Sequence, residues 1–297
     1  MTRSHPPTLI TLAKRTLREE CAVKRGAHVL LALSGGGDST ALLHVLALLA
    51  PKIGFRVSAH GVDHGLREEA RAELDAAEAR CRELGVAFRR TELRVAAGGN
   101  VQARAREARR GALLAAAESA GAELIATAHH ADDRAETVLI RLLRGAGPRG
   151  LAVLPPLREA WIRPFCRARK RDVELHLARH KLTFAQDPSN ENRRFLRTRV
   201  RLELMPLLEQ LSPGIVAHLC ALADALAENA NALTPEAAAD RDVAFELNRA
   251  QRKLVDRALA LGQRSARVSL RGGRELTFDP ITLRPLLAAA RPRARNR

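Results

Sequence analysis

Ser34-Gly35-Gly36-Gly37-Asp38-Ser39 puts two hydroxyls, three glycines and one carboxylate in six consecutive residues. Glycine lets backbone N–H groups come close to a ligand, and a helix beginning there adds its positive dipole end, so the loop suits an anion. Phosphate is the commonest anion of that kind, yet the loop has neither the Gly-Lys-Ser/Thr of a Walker A motif nor a GxGxxG fingerprint. Asp38 would repel a phosphate unless a divalent cation bridged the two. The loop therefore points to a nucleotide held with Mg2+, with Asp38 as the candidate metal ligand.

Two further polar clusters carry chemistry: Asp63-His64, and His129-His130-Ala131-Asp132-Asp133 followed by Glu136. On a helix, Asp133 and Glu136 lie three residues apart on one face, and such a pair holds a cation, either a metal or an amine. A zinc reading of the His-His-Asp-Asp run has no further cluster at zinc spacing to support it.

The elements that must position these residues alternate. Strands are predicted at 29–33, 56–62, 87–93 and 124–128, with a fifth at 161–165, and helices at 39–49, 68–84 and 100–120. Pro51 is expected to end the first of these helices, and Gly85 to stand just past the second. The order β-α-β-α-β-α-β predicts an α/β fold with a doubly wound parallel sheet, whose ligand lies beyond the carboxyl ends of the strands. The glycine loop, Asp63-His64 and the His129–Glu136 cluster all fall on those ends. A basic amphipathic helix over 8–25 precedes the sheet, with Leu9, Leu12, Ala13, Leu17 and Cys21 on one face.

Helices over 170–180, 193–211, 213–229 and 248–261 follow, and 267–270 with 275–278 suit a hairpin. The expected organisation is an N-terminal helix (1–27) on a catalytic domain (28–211), a smaller mainly helical region (212–290) and a basic tail (291–297).

With 297 residues, 46% of them apolar, the chain has ample core for this plan. It contains no apolar run of membrane-spanning length, and Met1 to Pro7 lack the apolar core of a signal peptide, so a cytoplasmic protein that does not engage a membrane is expected. The four cysteines, Cys21, Cys81, Cys166 and Cys220, are far apart and read as buried thiols. A formal charge of +17 suits a polyanionic partner, and the stretch from Arg158 to Arg201 holds 13 Lys/Arg against 5 Asp/Glu. With no Tyr and one Trp, contact through phosphates is expected rather than base stacking.

Ser34–Ser39 resembles the SGGxDS loop of N-type ATP pyrophosphatases, the PP-loop enzymes of adenine nucleotide α-hydrolase-like fold, which split ATP to AMP and pyrophosphate. Val62–Arg67, Ala105–Arg110, Ala128–Thr137, Arg144–Gly147, Arg163-Pro164, Asp187–Asn190, Arg197–Arg201 and Pro206 narrow the resemblance to the tRNA(Ile)-lysidine synthetases, from about Val29 to Leu211. Three positions depart from the family pattern. Gly61 stands where His is usual (His60 is adjacent), Arg110 where an aromatic is usual, and Thr198 where Asn is usual.

The resemblance implies ligation of free L-lysine to C2 of the first anticodon cytidine in an isoleucine tRNA with a CAU anticodon, through an adenylated cytidine. It implies ATP and Mg2+ as cofactors. Ser34, Gly35, Gly36, Gly37, Asp38, Ser39, Asp63, His64, His129 and His130 would hold the nucleotide, and Arg109 would answer charge developing on the α-phosphate. Asp133 and Glu136 would hold lysine, with burial raising carboxylate basicity so that one accepts the amine's proton. Arg169, Lys170, Arg197 and Arg201 would meet RNA. Two other functions remain: a tRNA thiolase, which needs a reactive cysteine, and a non-catalytic ATP-regulated RNA-binding protein. The oligomeric state stays open, a homodimer included.

Overall fold

In the computed structural model the apolar runs form a six-stranded sheet of order β3-β2-β1-β4-β6-β5. The structure describes residues 7–63, 69–93, 101–185 and 195–232, together with three short strands further on. Two compact units divide the chain, Met1–Glu228 and Asn229–Arg297.

In the first unit β1 (His28–Leu33) is buried along its whole length and pairs in parallel with β2 (Arg56–Asp63) on one side and β4 (Leu124–Ala126) on the other. β3 (Ala87–Glu92) extends the sheet beyond β2, and β6 (Trp161–Ile162) continues it in parallel beyond β4. The antiparallel stub β5 (Leu157–Arg158) closes that edge. Strand order reverses direction between β1 and β4, which opens a crevice at their carboxyl ends. The glycine loop leaves one of these ends and His129 follows the other.

The helices follow the apolar periodicity with instructive exceptions. α1 (Leu9–Arg15) continues as a π-helical turn, Thr16–Glu20, and buries Leu9, Ala13, Leu17 and Cys21. It stops short of the expected Arg25, where Ala22 turns to a φ of 49°. α2 (Gly37–Ile53) runs through Pro51, which lies in its last turn. The helix is ended instead by Gly54, left-handed at φ 91°, whose N–H donates to the Ala50 carbonyl. A proline so near the end costs little of the ladder, whereas a left-handed glycine supplies the stop. α3 (Glu69–Glu83) and α4 (Val101–Ala120) cross between strands, and Gly85 takes the positive φ expected after α3.

α5 (Ala131–Leu143), α6 (Pro148–Leu151) and α7 (Lys170–Arg179) follow. The basic segment is helical from α8 (Leu196–Arg199) through a π-helical turn (Val200–Leu204) to α9 (Met205–Leu211). α10 (Ile215–Ala232) packs Val216, Leu219, Cys220 and Ala223 with Ala135, Val138 and Leu139 of α5. This apolar cluster carries the first unit to Glu228, past the expected break near Leu211. Among the described residues no single helix is long and apolar enough to cross a membrane.

The second unit contains the expected hairpin, β7 (Val268–Ser269) with β8 (Glu275–Phe278), and a third antiparallel strand, β9 (Pro285–Ala288), that the sequence did not suggest. The helix expected over 248–261 and the tail at 291–297 lie outside the described residues.

One buried cation fastens α5 to α10. Arg134 is 0% exposed, donates to the Val153 carbonyl and pairs with Asp224 of α10, which also pairs with Arg167. Arg167 in turn grips Glu20 at the end of α1. Arg134→Met leaves the Val153 carbonyl without its donor while Asp224 keeps Arg167, so unfolding stability is expected to fall by about 1–3 kcal/mol in urea titration. A loss of about 0.5 kcal/mol, the scale of an exposed pair, would contradict this reading.

Candidate active site

A cleft of about 1220 Å³ opens at the carboxyl ends of β1 and β4. Ser34, Gly36, Gly37, Asp38 and Ser39 line one wall, and His129, Asp133 and Arg197 line another, with Arg109 and Lys170 also facing it.

The glycine loop is built by close approach. Gly35 has a φ of 81°, and a Cβ there would stand 2.8 Å from the Glu73 backbone oxygen, so only glycine fits. Gly35 faces a second, smaller cleft against α3. Its carbonyl accepts from the Ala185 N–H, and Phe184 lies against Gly37, so the chain after α7 supports the loop from outside. The Ser39 hydroxyl is committed inside the loop, donating to the Gly36 carbonyl and accepting from the Ser34 N–H. Ser34 stays exposed. Asp38, on the first turn of α2, accepts from the Lys170 ammonium at 2.6 Å.

α5 supplies the opposite wall. His130 caps it: its Nδ1 accepts from the Asp133 N–H while the Asp133 carboxylate accepts from the His130 N–H. With Nδ1 an acceptor, Nε2 carries the proton, and it lies 3.4 Å from Asp133 and 3.8 Å from Asp38. His130 is 4% exposed and serves as a cap, whereas His129 lines the cleft with its Nδ1 against the Thr127 hydroxyl. Burial pushes the His129 pKa down to about 4, so the ring is neutral near pH 7.

Asp133 and Glu136 do share a face, and the cation between them is the chain's own. Arg197 donates to Asp133 at 2.7 Å and to Glu136 at 2.9 Å, and Arg201 donates to the other Glu136 oxygen at 2.7 Å. Glu136 is 2% exposed and stands behind Asp133 rather than on the cleft surface. Burial would raise the Asp133 pKa, but His130, His129, Arg197 and the His130 N–H together outweigh it and hold the carboxyl below its ordinary value. The raised basicity expected of a buried carboxylate is thus absent at Asp133. Neighbouring cations favour its charged form more than desolvation disfavours it.

Arg169 grips Asp132 and Glu209, and the Lys170 N–H donates to Asp132. Arg169, Lys170, Arg197 and Arg201, expected as RNA contacts, are each engaged by a carboxylate. Arg109 has no hydrogen bond or ion pair among the described residues and faces the cleft. Burial and the nearby Arg106 depress its pKa. Asp63 ends β2, and His64 lies outside the described residues, as does Asp187–Asn190.

Packing accounts for two of the unusual positions. A Cβ at Gly61 would meet Leu74 at 2.7 Å and Phe88 at 2.9 Å, while the neighbouring His60 bonds the Thr91 hydroxyl. Arg110 pairs with Glu159 and lies over the Trp161 ring at 4.9 Å, filling an aromatic's place with a stacked guanidinium. Thr198 is buried. Sequence reasoning missed Arg106, Thr127, Arg158 and Phe184 as cleft residues, since only the fold brings them to this rim.

Sheet order, glycine loop and crevice together define a PP-loop domain, and the family profile of that description matches residues 9–208. A tRNA(Ile)-lysidine synthase of Thermobifida fusca is 38% identical over 235 residues, covering 77% of this chain and 72% of that protein. One from Thermotoga maritima is 35% identical over 198 residues, covering 65% of this chain and 48% of its own length. The chain belongs to the tRNA(Ile)-lysidine synthase family. It spans about half the length of several curated relatives. A solved structure of the U34-tRNA thiolase NcsA from Methanococcus maripaludis with its [4Fe-4S] cluster superposes with a TM-score of 0.62 at 22% identity, over 74% of this chain and 80% of that one, a likeness of fold alone.

The perturbed groups set two acid windows. His129 and His176 are held at about 4 against 6.5 for a free imidazole, so between those values the unfolded chain binds more protons and stability falls with pH. Asp132, Asp133 and Asp224 are held below 3.8; their contribution is present above 3.8 and lost as pH falls through their folded values. Urea midpoints should fall from pH 6.5 to 4, with His129→Gln removing about 1–3 kcal/mol of that change. An unchanged pH slope in His129→Gln would contradict a ring held neutral in the folded chain.

Proposed function

We propose that this chain ligates L-lysine to C2 of cytidine 34 in the CAU anticodon of an isoleucine tRNA, with ATP split to AMP and pyrophosphate. The observation that carries this reading is a glycine loop facing, across one cleft, the Asp133 carboxylate, which with Glu136 behind it already holds a guanidinium.

In the first step the cytidine O2 attacks the α-phosphate and the bond to the β-phosphate breaks. Backbone N–H groups at Gly36 and Gly37, backed by the α2 dipole, hold the departing pyrophosphate, and Lys170 offers a charge beside them. Arg109, unpaired among the described residues, meets charge growing on the α-phosphate. Mg2+ suits this wall, since such ions use one or two carboxylates together with substrate phosphates. One Asp38 oxygen holds Lys170, leaving the other for the metal, which would neutralise phosphate charge when bound.

In the second step the lysine ε-amine attacks C2, the C2–O bond breaks and AMP leaves. Asp133 seats the incoming ammonium, and Glu136 anchors the guanidinium that it displaces. Arg197 is 37% exposed on its side chain and can turn toward an arriving phosphate. Arg201, held by Glu136, opposes the ammonium form that the Asp133 carboxylate favours. The ε-amine gives its proton to solvent before it attacks, because the Asp133 carboxyl is held below its ordinary value.

A thiolase reading finds no support in the cysteines. All four are buried and none lines the cleft; burial pushes Cys21, Cys81 and Cys166 up to about 12 and Cys220 upward. We place the reaction in the cytoplasm, where tRNA, ATP and free lysine meet.

Incubation with ATP, labelled lysine and an isoleucine tRNA transcript bearing CAU should put label into RNA; no incorporation while ATP is bound overturns the proposal. Asp38→Asn should slow pyrophosphate release by about 100-fold or more. Glu136→Gln should instead leave that release near wild type and reduce lysine incorporation by about tenfold. Equal loss of both steps in Glu136→Gln would remove its assignment to the amine half.

A further inference from the structure

Outside the cleft, three imidazoles meet where α2 packs against α7. His44 projects from α2, His176 from α7, and His180 caps the C-terminus of α7, four residues after His176. One ring nitrogen from each lies within 4.8 Å of the others. His44 Nδ1 and His176 Nε2 are 3.0 Å apart and share one proton, and the ring centroids are separated by 4.4 to 5.1 Å. None of these residues lines the cleft.

We propose that His44, His176 and His180 form a site for a zinc-type divalent transition metal, which clamps α2 to α7. Tetrahedral zinc with nitrogen at 2.0–2.1 Å places its ligand nitrogens about 3.4 Å apart. The His44–His176 pair stands at 3.0 Å and the His180 nitrogen within 4.8 Å of both, so a small adjustment of the exposed His180 ring would close the set. A metal ligand must be a neutral imidazole. Burial and the neighbouring rings favour that form at His44 and His176, as do Arg80 beside the first and Arg179 beside the second. Arg80, the cation facing the cluster from α3, is itself held by Glu83 and the Thr183 hydroxyl. Three nitrogen donors with the outermost ring at the surface leave a fourth position for water, and no carboxylate takes part, which favours zinc, cobalt or nickel over magnesium or calcium.

The clamp has a mechanical consequence. Asp38 lies six residues before His44 on α2, about 9 Å along the helix, and Lys170 six residues before His176 on α7. The two helices that bring Asp38 and Lys170 to 2.6 Å are thus tied together two turns further on.

Cobalt(II) is the probe, because a site of this geometry gives visible d–d bands. The full-length chain, treated with chelator and dialysed, should take up one Co2+ per chain with such bands, displaced by Zn2+, and Zn2+ should raise its melting temperature by several degrees. His44→Gln and His180→Gln should each weaken Co2+ binding by about tenfold or more and abolish the melting shift. His180→Asp, which restores a ligand, should recover binding, an outcome that mere ring packing would not produce. Absence of the bands in the wild-type chain, or unchanged Co2+ affinity in both Gln variants, overturns the proposal.

Discussion

The carboxylates at the start of α5 each need a cation, and much of the chain after β6 is arranged to supply one. Glu136 is buried and Asp132 and Asp133 are half-buried within two turns of one helix, a cost that paired charges and hydrogen bonds offset. Arg169 and the Lys170 N–H answer the first, Arg197 the second and Arg197 with Arg201 the third. The same helix carries the converse case at Arg134, answered by Asp224. α5 therefore turns Asp133 toward the cleft and Arg134 toward α10, and the partners on both sides follow from that polarity.

This arrangement gives the cleft two unlike walls. The glycine loop presents backbone donors, a helix dipole and Asp38, while α5 presents acids already neutralised by guanidinium. Arginine suits such a place because it stays charged and pairs with two carboxylates through one planar fork. In the proposed reaction a substrate amine entering there would exchange with a side chain of similar charge, so the two acids would not be left uncompensated. The reaction proposed for the chain uses the two walls in sequence.

Much of this was legible in the sequence. Short apolar runs separated by helices announced the parallel sheet, and the carboxyl-end placement of Ser34–Ser39, Asp63 and the His129–Glu136 cluster announced the crevice. Residue spacing also placed Asp133 beside Glu136. Partners of charged residues were not legible, because Arg197 reaches Glu136 across 61 positions and only the fold brings them together. The basic stretch consequently read as a surface for RNA, although several of its cations are paired within the chain. The depressed Asp133 pKa was hidden for the same reason. Pro51 misled locally, since the stop for α2 is Gly54, and Gly61 looked anomalous until Leu74 and Phe88 were seen to fill the space of a side chain. His176 and His180 show helical spacing in the sequence, but their meeting with His44 is a tertiary fact.

In the proposed reaction the glycine-loop wall acts before, and independently of, the α5 wall. Single-turnover pyrophosphate release, with ATP and a CAU-bearing isoleucine tRNA but no lysine, should show a burst close to one pyrophosphate per active site, with AMP held on the RNA until lysine is added. Pyrophosphate release that begins only when lysine is present would contradict it.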